Sequence, residues 1–175
     1  MNNIQKSTQN IPHQNLILGI DPGYDRVGVS IIAFTEGRDE LVFSTCIETD
    51  KKTDNNKRIA NIAFEIDSII KKYNPICMGI ESLFLFKNHK TVIQVSEARG
   101  VIKYIAEQNN IKIIELTPMQ VKSSVAGDGH ASKTQVEYMV RNILRLGYEG
   151  KIIDDEVDAM AIALTTRLHN KAQNL

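Results

Sequence analysis

Two short, almost wholly apolar runs each stop at a carboxylate. Leu16-Ile17-Leu18-Gly19-Ile20 ends at Asp21, and Ile76-Cys77-Met78-Gly79-Ile80 ends at Glu81. Runs this short and this apolar read as buried strands. After Asp21-Pro22-Gly23, a turn signal, Val27, Val29 and Ile31 alternate before Ile31-Ile32-Ala33-Phe34. Glu36-Gly37-Arg38-Asp39 then turns the chain into a third β-rich stretch, Leu41 to Ile47. Three strands joined by short turns predict an antiparallel meander. Ile59, Ile62, Ala63, Ile66, Ile69, Ile70 and Tyr73 recur at helical spacing until Asn74-Pro75 ends the pattern. Beyond Glu81 a second helix carries Val92, Val95, Ala98, Val101, Ile102 and Ile105 on one side, and the strand Ile111 to Leu116 follows. Strand alternating with helix implies parallel pairing through right-handed crossovers. The last third is helical: Pro118 to about Val125, Ser132 to Leu146, and Asp155 to about Leu168. Ser132 and Gln135 form a capping box, Gly147 sits where a helix stop is expected, and Gly127 to Ala131 read as a flexible loop. The expectation is an α/β fold with a five-stranded mixed sheet flanked by helices, a single domain over residues 15–170.

A chain of 175 residues with 42% apolar content can bury enough surface to fold without disulfides or a structural metal. Cys46 and Cys77 sit singly inside apolar runs, as buried reduced thiols would, which suits a cytoplasmic location. No apolar run approaches the length of a membrane span. Residues 1–14 (MNNIQKSTQNIPHQ) lack both a signal core and an Arg-rich transit bias and read as a disordered tail.

Four acids are out of keeping with their surroundings. Asp21 and Glu81 terminate strands, and the carboxyl ends of strands are where ligands gather in α/β sheets, so the two are expected to be neighbours. In Asp154-Asp155-Glu156-Val157-Asp158-Ala159-Met160-Ala161, Asp155 and Asp158 share one helix face, and the small residues after them predict a helix packed closely on the sheet. Asp154 suits a helix cap. Each acid alone has an ordinary explanation as cap, turn former or solvated loop residue. Together they would repel one another unless divalent cations lay among them. An all-oxygen ligand set selects hard ions, Mg²⁺ with Mn²⁺ able to substitute. His13, His89, His130 and His169 have no ligand spacing, which disfavours zinc. Two such ions suit in-line displacement at phosphorus, which needs no protein nucleophile, and none is evident.

The stretches LILGIDPGYDRVGVSII, MGIESLFLFKN, SEARGV, TPMQVKSSVAGDGHASKTQVEYMVRNIL and DDEVDAMAIALTTRLH, in that order, resemble the RuvC family of Holliday junction resolvases from Leu16 to His169. The resemblance implies an RNase H-like fold and a homodimer that makes two symmetric, Mg²⁺-dependent cuts in four-way DNA junctions during recombination and repair. It also implies work alongside a branch-migration motor complex. Carried over position by position, it makes Asp21, Glu81, Asp155 and Asp158 the catalytic metal-binding acids and leaves Asp154 as the cap. Lys133 and Lys122 match family lysines near the active site. Lys133 would bind phosphate or stabilise transition-state charge, whereas Lys122 could equally be a solvated helix residue. Phe84 matches an aromatic at the junction crossover, where a ring can support an unstacked base; its alternative is a core role, the reading that suits Phe86. Gly100, inside the second helix, costs about 1 kcal/mol relative to Ala unless an interface or tight packing contact needs it.

A related nuclease acting on RNA or on branched or flap DNA would share the acids without needing Phe84 or a dimer. An actin-like phosphotransferase would need two lobes and a second glycine-rich loop, and a non-catalytic junction binder would not need all four acids. The 21 basic and 21 acidic residues cancel, which at first argues against a nucleic-acid partner. Setting aside four acids as metal ligands leaves 21 basic against 17 acidic groups, so the metal-bound form is cationic.

Overall fold

The structure, a computed structural model, describes residues 16–35, 37–82, 89–147 and 152–172. The expected tail at residues 1–14, and Phe84 and Phe86, lie outside the described residues. Strands β1 (Leu16–Asp21), β2 (Arg26–Thr35) and β3 (Arg38–Glu48) form the meander. Helix α1 (Asn55–Tyr73), β4 (Cys77–Glu81), α2 (His89–Gln108) and β5 (Lys112–Leu116) follow, and then α3 (Pro118–Ala126), α4 (Lys133–Ile143) and α5 (Asp154–Ala172). The five strands lie in the order β3-β2-β1-β4-β5, antiparallel through the meander and parallel from β1 to β4 to β5. This is the expected mixed sheet, with helices on both faces. No helix among the described residues is long and apolar enough to cross a membrane.

The period of two along each strand sorts its side chains between two cores. Leu16, Leu18, Ile20, Met78 and Ile80 pack with Ile62 and Ile66 of α1 and Ala98 and Ile102 of α2. Ile17, Cys77 and Leu116 face the other way, onto Val121 of α3, Val140 of α4 and Met160 and Ile162 of α5. By the same alternation Asp21 and Glu81 fall on the α5 side. So do Gly19, Gly28 and Gly79, whose missing side chains let α5 sit against the sheet. A Cβ at Gly28 would collide with the carbonyl oxygen of Asp155, one at Gly19 with that of Ala159, and one at Gly79 with Thr166 Oγ1. The helix backbone therefore rests almost directly on the strands.

Several helix boundaries differ from the periodicity reading, each for a local reason. Helix α1 starts at Asn55, because the Asp54 carboxylate accepts from the Asn56 amide at 2.9 Å and caps it. The Ser132 capping box forms as expected, with Gln135 reaching back to the Ser132 amide. The stop does not fall at Gly147: α4 ends at Ile143, and Arg145 takes the left-handed conformation (φ 53°). The amides of Leu146 and Arg145 then bond to the carbonyls of Arg141 and Asn142, the paired closure of a Schellman turn. Asp154 is the first residue of α5 rather than its cap; the Ile153 carbonyl accepts from the amides of Glu156 and Val157. Cys77 is buried and Cys46 half-buried; both are free, and burial pushes each thiol up to about 11. Around Gly100 a Cβ would meet open space, so no packing among the described residues requires the glycine.

Candidate active site

β1 and β4 run parallel and in register, Ile20 beside Ile80, so Asp21 and Glu81 stand next to each other one step beyond that pair. Asp21 is itself paired with Gly28 of β2, the residue on which the Asp155 backbone rests. The start of α5 is thereby laid across the strand ends, and Asp155 and Asp158, three residues apart in its first two turns, project near Asp21. The fold brings all four expected acids into one electrostatic neighbourhood.

The electrostatics record that crowding. Asp21 is pushed up to about 7, first by burial and then by the charges of Asp158, Glu81 and Asp155. Glu81 is pushed up to about 7 by burial and by Asp158. Such shifts are what two carboxyls show when withdrawn from water beside like charges. Lys133 opposes the shift at both acids, and Lys122 opposes it at Glu81. Both expected lysines thus face the acids. Lys133 Nζ donates to Asp158 Oδ2 at 3.1 Å, and that bond holds the ammonium above its ordinary pKa.

Residues without an evident sequence signal complete the site. Arg26 Nε lies 3.3 Å from Asp155 Oδ2 without the alignment of a hydrogen bond, and that oxygen is buried with no hydrogen-bond partner. Buried Ser44 of β3 donates to Glu156 Oε2 at 2.5 Å, pinning the first turn of α5 to the sheet. Arg99 of α2 donates through Nε to the Glu81 carbonyl at 3.0 Å and also bonds the Glu115 carboxylate, fixing the end of β4 against β5.

The donor set fits a hard divalent ion on three counts: its ligands are oxygens only, one buried Asp155 oxygen has no hydrogen-bond partner, and two carboxyls would be relieved of repulsion by a cation. Among the described residues, no three His, Cys, Asp or Glu side chains are gathered closely enough to hold one ion as they stand. Lys133 and Arg26 occupy two of the acids instead. Binding a metal would exchange these cationic side chains for the ion.

Comparison with known proteins places the chain as a whole. The family model described as crossover junction endodeoxyribonuclease RuvC matches residues 17–166. The protein of that name from Fusobacterium nucleatum is 44% identical over 149 residues, covering 85% of this chain and 78% of the relative. Its counterpart from Brachyspira hyodysenteriae is 42% identical over 159 residues, covering 91% and 98%. Among solved structures, Thermus thermophilus RuvC in complex with Holliday junction substrate superposes with a TM-score of 0.85 at 27% identity, covering 91% of this chain and 97% of that one.

Proposed function

The chain belongs to the RuvC family of crossover junction endodeoxyribonucleases, and from that membership and the site we infer that it resolves four-way DNA junctions by hydrolysing a phosphodiester in each of two opposed strands. The observation that carries the reading is the convergence of Asp21 and Glu81, from adjacent strand ends, with Asp155 and Asp158 from the helix laid across them. In this reading the four carboxylates hold divalent ions, Mg²⁺ first and Mn²⁺ as a substitute. Such ions, when bound, supply an activated water and stabilise the leaving oxygen.

The chain's own residues do the positioning. Gly28 and Ser44 set the height and pitch of α5 over the strand ends, and with them the reach of Asp155 and Asp158. Lys133 is held by Asp158 in the first turn of α4, where the helix dipole disfavours a cation, so phosphate is a natural second partner for its ammonium. Lys122, half-buried beside Glu81, serves as a weaker phosphate contact. Phe84 follows Glu81 by three residues, and its assignment to the junction crossover rests on the family resemblance.

Two identical sites on a two-fold dimer would meet two strands of like polarity. The exposed stripe Ile93, Gly100 and Tyr104 on α2 supports pairing there: Ile93 is 68% and Tyr104 58% exposed, and nothing among the described residues covers Gly100. The enzyme would work in the cytoplasm beside a branch-migration motor complex.

The test is cleavage of a synthetic four-way junction with and without Mg²⁺, beside a linear duplex, a flap and an RNA–DNA hybrid. Symmetric, Mg²⁺-dependent nicks confined to the junction are expected. Cutting of the hybrid or flap with no junction preference would replace the reading with that of a related nuclease. Phe84→Ala should leave thermal stability near normal while impairing junction cutting; gross unfolding would make Phe84 a core residue.

A further inference from the structure

Beside the acid cluster, and sharing Asp155 as part of its wall, lies an open cleft of about 760 Å³. That is within the range of roughly 300–1,000 Å³ typical of small-molecule sites. It is bounded by the turn after β1, the end of β3, the start of α1 and one side of α2, and Tyr24, Lys51 and Arg58 line it. The resolvase chemistry described above does not use these three residues.

Arg58 is the unusual member, because its side chain is 93% buried yet not fully bonded. Its Nε donates to Thr49 Oγ1 at 3.0 Å, and its Nη2 to Thr49 Oγ1 at 2.8 Å, Asp25 Oδ1 at 2.6 Å and the Tyr24 carbonyl at 3.4 Å. The guanidinium carbon lies 3.7 Å from the Tyr24 ring centroid. Every one of these contacts uses the Nε and Nη2 side of the fork or the flat face. Nη1 makes no hydrogen bond among the described residues. Two N–H donors are thus left on a rigidly held cation in a cleft wall. Lys51 Nζ is close by, 74% exposed and paired with the other oxygen of the same Asp25 carboxylate at 2.7 Å. Arg26, half exposed, also lines the cleft and pairs with Asp155.

We propose that this cleft is a second phosphate site, in which Arg58 Nη1 and Lys51 Nζ take a backbone phosphate of the DNA strand next to the one cut at the acids. A guanidinium locked by stacking and three acceptors has little rotamer freedom left to lose on binding an oxyanion. Asp25 and Glu48 also line the cleft, so its empty charge is balanced, and a phosphate would compete with Asp25 for both cations. The shared wall keeps the bound strand in register with the acid cluster. This assignment rests on the resolvase reading, which names DNA as the polyanion.

The test is binding by the full chain in EDTA, followed by fluorescence anisotropy, to a four-way junction and to one of its single strands across a salt series. Lys51→Ala should weaken junction binding about three- to tenfold and lower the salt slope by about one, as loss of one phosphate contact does. Lys57→Ala, which removes an exposed lysine of α1 outside the cleft lining, should change neither. A neutral methylphosphonate at one position flanking the cut should weaken the wild type by the same factor and leave Lys51→Ala unaffected. If Lys51→Ala behaves like Lys57→Ala, or no flanking position shows that non-additivity, the phosphate site is overturned. If the wild type binds the junction no more tightly than the single strand, the resolvase reading fails, and the contrast between the two lysines on the single strand still decides the cleft.

Discussion

The two faces of the sheet are built for different purposes. Under α1 and α2 the strands present Leu, Ile and Val, and the large side chains Leu18, Ile20, Ile31, Ile62, Ile66, Met78 and Ile80 have under 2% of their surface exposed. Under α5 the same strands present Gly19, Gly28 and Gly79, and the helix answers with Ala159, Ala163 and Thr166. The first face maximises buried apolar area. The second gives up side-chain volume so that a helix backbone can approach closely enough for acids in its first two turns to meet acids at the strand ends. Stability and site geometry are thereby divided between opposite sides of the same strands.

Substitutions can break that division, and the largest effect is expected at the acids themselves. Asp21→Asn should abolish junction cleavage while leaving junction binding in EDTA intact; cleavage at the wild-type rate would remove Asp21 from the site. Next comes Gly28→Ala, whose methyl group would have to displace the Asp155 carbonyl. It should slow cleavage about 100-fold, the order expected when reacting groups are misplaced by an ångström. Its cost in stability should be only about 1–3 kcal/mol, typical of overpacking, and urea unfolding alongside single-turnover rates would separate the two. On the opposite face the pattern should invert. Ile66→Val should cost about 0.5–1.5 kcal/mol by the loss of one buried methylene, with the cleavage rate unchanged below the melting transition.

A pH titration sharpens the contrast further. Asp21 and Glu81 have ordinary values of 3.8 and 4.5 and stand at about 7 in the folded, metal-free chain. Between about pH 4 and 7 the folded state therefore binds more protons than the unfolded state, and metal-free stability falls as pH rises, levelling above about 7. Thermal melts in EDTA should show this decline, and Asp21→Asn should make it shallower. Because a divalent ion must displace those protons, its affinity should climb through the same window. A metal-free melting temperature that rose from pH 5 to 8 would contradict the burial of these two acids.

Much of this was readable from the chain because both patterns are periodic. Unbroken apolar runs identify central strands, and the stop at Asp21 and Glu81 places both acids at strand ends before any contact is known. The spacing of Asp155 and Asp158 puts them on one helix face. The glycines under α5 were present in the same runs, but a glycine inside a strand is uninformative until the helix that crosses it is known. Arg26, Ser44, Arg58 and Arg99 could not be singled out, since a single polar side chain becomes significant only when tertiary packing brings it to Asp155, Glu156, Tyr24 or the Glu81 carbonyl. The early stop of α4 was illegible for a related reason. Arg145 takes a left-handed conformation that sequence statistics reserve for glycine, two residues ahead of the glycine that was present.

The central claim is that α5, resting on glycine, carries Asp155 and Asp158 to Asp21 and Glu81 to hold divalent ions. It is tested most directly by anomalous scattering from Mn²⁺ in crystals of the wild type and of Gly28→Ala. The wild type should show metal peaks bounded by these four carboxylates, with Lys133 and Arg26 drawn away from Asp158 and Asp155, and Gly28→Ala should show them weakened or lost. Peaks elsewhere on the chain, or full peaks at the four acids in Gly28→Ala, would contradict it.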